Sequence, residues 1–159
     1  FRETVQLGGD LPMYWNDWGV ALMKLGELTN DQKPIAEAVE KFEAAIQSYN
    51  RKSLRPSDPD WFYNYACALD WLGSYDPNPV YFERSISILS RLIEQYPSLS
   101  HIRYSLGLSL YHLGDVVGDV EILEQSIHHF SSYLQKEPED DTAISDLGLT
   151  YLTLAEILE

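Results

Sequence analysis

The stretch His101-Ile-Arg-Tyr-Ser-Leu-Gly-Leu-Ser-Leu-Tyr-His-Leu-Gly114, followed by Asp119, the apolar series Leu123, Ile127, Phe130 and Leu134, and then Pro138, decides the fold because its plan recurs along the chain. Gly107 at its centre has counterparts in Gly19, Ala66 and Gly148, and the four lie 47, 41 and 41 residues apart. Around each mark one apolar residue sits four before, one immediately before and one three after. These are Trp15, Trp18 and Leu22; Phe62, Tyr65 and Leu69; Leu106 and Leu110, with Arg103 as the exception; and Ile144, Leu147 and Tyr151. Seven residues beyond the mark stand Gly26, Gly73 and Gly114, and five further on Asp31, Asn78 and Asp119. Each of these opens a run at helical spacing, Ile35, Val39, Phe42, Ile46 in the first copy and Phe82, Ile86, Leu89, Ile93 in the second, with Pro97 closing the latter. Every copy reads as helix, glycine stop, short polar loop, Asp or Asn cap, helix. The cap has a physical reason: a short side-chain oxygen accepts an orphan N–H at a helix start.

This plan resembles the tetratricopeptide repeat, Trp-x2-Leu-Gly-x2-Tyr, then Ala-x3-Phe, then Pro, over 34 residues. The first copy supplies Trp15, Trp18, Gly19, Leu22, Ala38 and Phe42, with Asn50 where the proline belongs. The second supplies Phe62, Tyr65, Ala66, Leu69, Ser85, Leu89 and Pro97; the third Arg103, Leu106, Gly107, Leu110, Ser126, Phe130 and Pro138. The fourth stops after Ile144, Leu147, Gly148 and Tyr151, so the likeness covers nearly the whole chain. One departure is systematic: the interval from the second glycine to the Ala/Ser slot is 12 residues, seven more than in the family pattern. Seven residues make about two helical turns, which predicts a second helix one turn longer and a slightly longer connecting loop. The resemblance implies an all-α, right-handed α-solenoid of antiparallel helix pairs, with three full repeats and the first helix of a fourth. The boundaries read 1–10 as a lead-in, 11–50 as repeat 1, 51–57 as a linker, 58–97 as repeat 2, 98–138 as repeat 3 and 139–159 as the fourth first helix, in one continuous domain.

The first helices are apolar around most of their circumference: Leu11, Met13, Trp15, Trp18, Val20, Leu22, Met23 and Leu25 in one, Trp61 to Leu72 in the next. Such a helix needs cover on more than one side. The second helices are one-sided, with Glu37, Glu40, Lys41 and Glu43 on a solvated face, which predicts an inner layer of first helices and an outer layer of second ones. Trp15 and Trp18 are expected in opposed large slots of the first pair. Phe1 falls where a preceding repeat would carry its second-helix Phe, so residues 1–7 read as a helix remnant. In the last helix Leu152, Leu154, Ile157 and Leu158 lack a covering second helix, which predicts exposure or self-association through a second copy of the chain.

Charge narrows the partners. With 25 acidic and 11 basic residues the net charge is −14, so the basic footprint that nucleic-acid binding needs is missing. An anionic membrane surface is disfavoured for the same reason, and no stretch approaches the ~20 apolar residues of a spanning helix. One cysteine excludes an internal disulfide and favours a reducing, cytoplasmic setting. Residue 1 is Phe rather than Met, which reads as an excised segment whose parent's targeting signal would be invisible.

No catalytic or metal arrangement emerges. The chain has no Gly-rich phosphate loop, paired-Cys spacing or His-Glu-x-x-His. His101 and His112 lie about three turns apart, while His128 and His129 are adjacent and point to different faces. Glu124 and His128 read as a surface pair, since a metal would need more ligands. No enzyme activity, cofactor or metal is therefore expected.

What remains is a surface. On the first helices the stripe left over from pairing reads Met13, Asn16, Val20 and Met23; then Asp60, Tyr63, Asn64, Cys67, Asp70 and Trp71; then His101, Tyr104, Leu108, Tyr111 and His112; and finally Ser145, Leu149 and Leu152. In the family it resembles, this stripe lines a concave groove that accepts segments of other proteins. The resemblance thus implies a protein-interaction module whose partner segment is apolar or aromatic with some basic residues. The alternatives are a secretion-chaperone-like holder of an exported protein and a structural segment of a longer solenoid. Some family members grip a C-terminal carboxylate through Lys and Arg here; the matching slots hold Asn16, Val20, His101 and Ser105, with only Asn64 fitting, so that use is not expected.

Overall fold

The computed structural model describes residues 12–51 and 59–159; the expected lead-in and all but Arg51 of the expected linker lie outside them. Among the described residues the chain is all-helical, in a repeat-like series of seven helices with no strand. These are α1 (Pro12–Thr29), α2 (Gln32–Arg51), α3 (Pro59–Tyr75), α4 (Pro79–Gln95), α5 (Ser100–Val117), α6 (Val120–Leu134) and α7 (Asp141–Leu158). They fall into two compact units divided after Tyr75, inside the stretch that the sequence reads as repeat 2. In the first unit α2 packs on both α1 and α3; in the second, α4 packs on α5, α5 on α6 and α6 on α7.

The second helices α2, α4 and α6 start where the caps predict. Asp31 Oδ1 accepts from the Lys33 N–H at 3.0 Å. Asn78 accepts from Val80, with Pro79 in the first turn, and Asp119 from Glu121 and Ile122. Asp140 accepts from Thr142 and Ala143. Each removes one or two of the unpaired N–H groups a helix start would otherwise expose.

The helix ends differ from the glycine stops expected. α1 continues past Gly26 to Thr29, α3 past Gly73 to Tyr75, and α5 past Gly114 to Val117. The left-handed residues that end α1 and α5 are Asn30 (φ 49°) and Gly118 (φ 67°), a conformation that Gly and Asn tolerate best. The N–H groups of Asp31 and Asp119 then donate to the carbonyls of Gly26 and Gly114. The connecting loop is no longer than usual either: two residues separate α1 from α2, and two separate α5 from α6. The extra residues extend helices on both sides of the turn.

The internal glycines instead mark close helix approach. A Cβ on Gly19 would stand 2.7–2.9 Å from the Phe42 ring, and one on Gly107 3.0–3.2 Å from the Phe130 ring. A Cβ on Gly26 would fall on the Ile35 side chain, and one on Gly114 would lie 2.8 Å from Leu123 Cδ2. The two phenylalanine rings are therefore seated directly on bare helix backbone, and both are fully buried. The small-residue slot one turn before each Phe is buried too, at Ala38 and Ser126. Ser126 Oγ satisfies itself by donating to the Gly107 carbonyl at 2.7 Å, so serine costs this slot little.

Trp15 and Trp18 do not occupy opposed slots. Their rings stack at 5.7 Å with an interplanar angle of 10°, both half-buried, and the Lys41 ammonium lies 4.5 Å from the Trp18 ring centroid. Residues three apart on a helix share a side, and Phe42 already holds the slot over Gly19. The expectation that first helices are covered on more than one side holds for α5, flanked by three helices of its own unit, where Ile102, Leu106, Ser109, Leu110 and Leu113 are buried. Its Ser109 shares a buried hydroxyl hydrogen bond with Ser85 of α4 at 2.9 Å. On α1, by contrast, Met13, Val20, Leu25 and Leu28 are exposed, as are Ile144, Leu149, Tyr151, Leu152, Ile157 and Leu158 on α7.

Candidate binding surface

In the first unit the stripe is carried by α1 and α3. Met13 and Val20 are exposed, Met23, Tyr63, Asn64, Cys67 and Trp71 half-buried, Asp60 exposed, and Asn16 and Asp70 buried. Asn64 Nδ2 donates to Asn16 Oδ1 at 3.4 Å, tying the two first helices together at the stripe. Tyr65, beside the stripe, turns the other way and donates to Glu43 of α2 at 2.7 Å. Such alternation follows from helical spacing: residue 64 and residue 65 point about 100° apart.

In the second unit the stripe belongs to α5 and α7. His101 is exposed; Tyr104, Leu108, Tyr111 and His112 are half-buried. Tyr104 is engaged within the chain, with its ring against Phe130 and Tyr133 and its hydroxyl donating to Asp146 Oδ2 of α7 at 2.7 Å. Burial first, and then that carboxylate, push its pKa well up. Tyr111 is raised mainly by burial, with Thr153 of α7 as a hydroxyl partner. His112 packs on Phe82 and Tyr111. Of the fourth-repeat stripe, Ser145, Leu149 and Leu152 are exposed.

Asp146 and Thr153 are the residues that sequence reading missed. The signal for Asp146 was positional. Asn16 and Tyr104 both stand three residues before their marks, and Asn64 and Asp146 two before theirs. A side-chain hydrogen bond between the same two repeat positions, though of different chemistry, thus joins successive first helices in each unit.

The other titratable cluster lies on α6. His128 and His129 touch edge to face at 5.6 Å, beside Glu121, Glu124 and Gln125. His128 is exposed and His129 half-buried, and His129 Nδ1 is buried without a hydrogen-bond partner. Among the described residues no group of three or more His, Cys, Asp or Glu could hold a metal. Burial, helped by His128 and Arg103, lowers the His129 pKa to about 4. The unfolded chain therefore takes up a proton near pH 6.5 that the native state refuses until about pH 4. Stability should fall as pH drops through that window. Chemical denaturation of His129→Gln against pH should show a shallower decline there than the parent chain.

Among the described residues no helix is long and apolar enough to cross a membrane. Compared with known proteins, the chain matches no family model and no curated protein.

Proposed function

We propose that this chain is a non-enzymatic protein-interaction module: a right-handed solenoid of antiparallel helix pairs of the tetratricopeptide type, whose first helices present the binding surface. The observation that carries the reading is the recurrent link at the stripe, Asn16 to Asn64 and Tyr104 to Asp146. It sets first helices side by side at one register, so that Met13, Val20, Tyr63 and Trp71 in one unit, and Leu108 and Tyr111 in the other, recur on equivalent faces. Such half-covered aromatic and thioether side chains are the types enriched at interfaces. The partner is a segment of another protein, apolar or aromatic and carrying basic residues; the acidic excess of the chain would speed its association and reject acidic competitors.

The test is capture of a partner by the immobilised chain from the extract of its own cells. Tyr104→Ala is unsuitable because it strips a ring from Phe130 and a donor from Asp146. Val20→Lys together with Trp71→Ala should reduce capture by about thirtyfold or more, the level at which an interface hot spot is counted. Glu121→Ala, on the exposed face of α6, should leave it intact. Capture that survives the first variant and fails in the second would transfer the function to the other face.

A further inference from the structure

The residue 22 positions after the mark is Lys41 in the first copy and His129 in the third, and the two slots are built in opposite senses. In the first unit the slot holds a cation. The Lys41 ammonium lies 6.0 Å from the Trp15 ring centroid and 4.5 Å from that of Trp18. Glu37 and Glu40 stand 3.6 Å and 3.9 Å from it. Aromatic faces and carboxylates both favour a positive charge. In the third copy all four of these groups are exchanged. At the positions of Trp15, Trp18, Glu37 and Glu40 stand Arg103, Leu106, Gln125 and His128. Two of the replacements are themselves basic, and the other two have neither a π face nor a negative charge to offer.

His129 therefore sits where a proton is unwelcome. Its Nδ1 is buried without a hydrogen-bond partner, so a proton added there would meet no acceptor. α6 packs on α5 and α7. From α5 the charge acting on the ring is Arg103, and on α6 itself it is His128, in edge-to-face contact. Among the described residues Arg103 forms no salt bridge that would neutralise it. Glu121 and Glu124 lie eight and five residues back along α6 and are not among the charges acting on the ring. No group of α7 acts on it either; Asp140 and Asp146 are engaged by Tyr133 and Tyr104. We propose that His129 is an acid-sensitive joint, whose protonation parts α6 from α5 in the second unit while α1 and α2 stay paired in the first. The seam at stake is the one closed by Phe130, next to His129 in sequence, on Gly107. The closed ring refuses a proton until about pH 4, whereas an opened, solvated one accepts it near pH 6.5. Opening is thus favoured as pH drops through that window, and at pH 7 the slot is neutral and shut. The joint works whether or not the stripe under Proposed function holds a partner.

Hydrogen exchange of the whole chain separates the two units, read by mass spectrometry as protection factors corrected for the intrinsic pH dependence of exchange. Between pH 7 and pH 5, protection in α5 and α6 should fall about tenfold or more, while that in α1 and α2 stays constant. Ordinary carboxylates remain charged at pH 5, so loss of the Asp caps does not enter. His129→Gln should remove the fall. Arg103→Glu should shrink it, because the ring then faces a carboxylate of the kind that Lys41 has in Glu37. That second variant keeps His129 in place, and it decides the matter if His129→Gln does not fold at pH 7. A fall of equal size in both units would overturn the proposal, as would one that persists in His129→Gln or is undiminished in Arg103→Glu. The absence of any fall in the parent chain would overturn it likewise.

Discussion

Phe130→Ala should destabilise the second unit by about 3–5 kcal/mol, and Phe42→Ala the first unit by a similar amount. Both rings are fully buried and rest on a glycine, so truncation leaves a cavity walled by backbone on one side. Backbone in the middle of a helix cannot move in to close the gap, which places the loss at the upper end of the usual range for large-to-small changes. Trp18→Ala should cost clearly less, although tryptophan is larger, because its ring is half-exposed and stacked on Trp15 rather than enclosed. All four tryptophans precede residue 76. Urea unfolding followed by tryptophan fluorescence therefore reads Phe42→Ala and Trp18→Ala, while far-ultraviolet circular dichroism reads Phe130→Ala. A Trp18→Ala loss equal to that of Phe42→Ala would mean that the α1–α2 contact is organised around the indoles.

The helical class and the caps were legible because they depend on neighbours in sequence. Asp119 and Asn78 cap helices through N–H groups two or three residues away, and the apolar spacing of α2, α4 and α6 marks a single buried face. The role of Gly26 and Gly114 was not legible in the same way. A glycine near a helix end reads as a stop, yet here it is set by what crosses it, Ile35 and Leu123, and crossing partners have no local signature. The stripe was legible as a set of positions, but not the engagement of each residue. Nothing next to Tyr104 in sequence announces that Asp146, 42 residues on, will take its hydroxyl. The repeat register did contain that information, since Asn64 and Asp146 occupy the same position relative to their marks. Trp15 and Trp18 show the reverse error, where size suggested core and the helix geometry left both at its edge.

The glycines supply a second large and signed result. Ala is the better helix former by about 1 kcal/mol in an exposed helix interior, so propensity alone predicts that Gly→Ala stabilises each of these helix glycines. At Gly148 nothing opposes that gain, because an added methyl meets open space, and Gly148→Ala should stabilise the chain by about 0.5–1 kcal/mol. At Gly19 the methyl would press into the Phe42 ring at 2.7 Å, and at Gly114 it would meet Leu123 Cγ and Cδ2 at 2.8 Å and the Leu123 backbone N at 3.2 Å. A ring in a closed core and a backbone nitrogen are both poor at yielding, and overpacking of this kind costs about 1–3 kcal/mol, which exceeds the propensity gain. Gly19→Ala and Gly114→Ala should therefore destabilise, with Gly114→Ala the worse because backbone cannot rotate aside. Denaturation midpoints measured at unchanged m-value would give the signs directly. Stabilisation at all three positions would mean that the helix pairs are not seated ring-on-backbone. Destabilisation at Gly148 would mean that its face is covered in the chain as it stands.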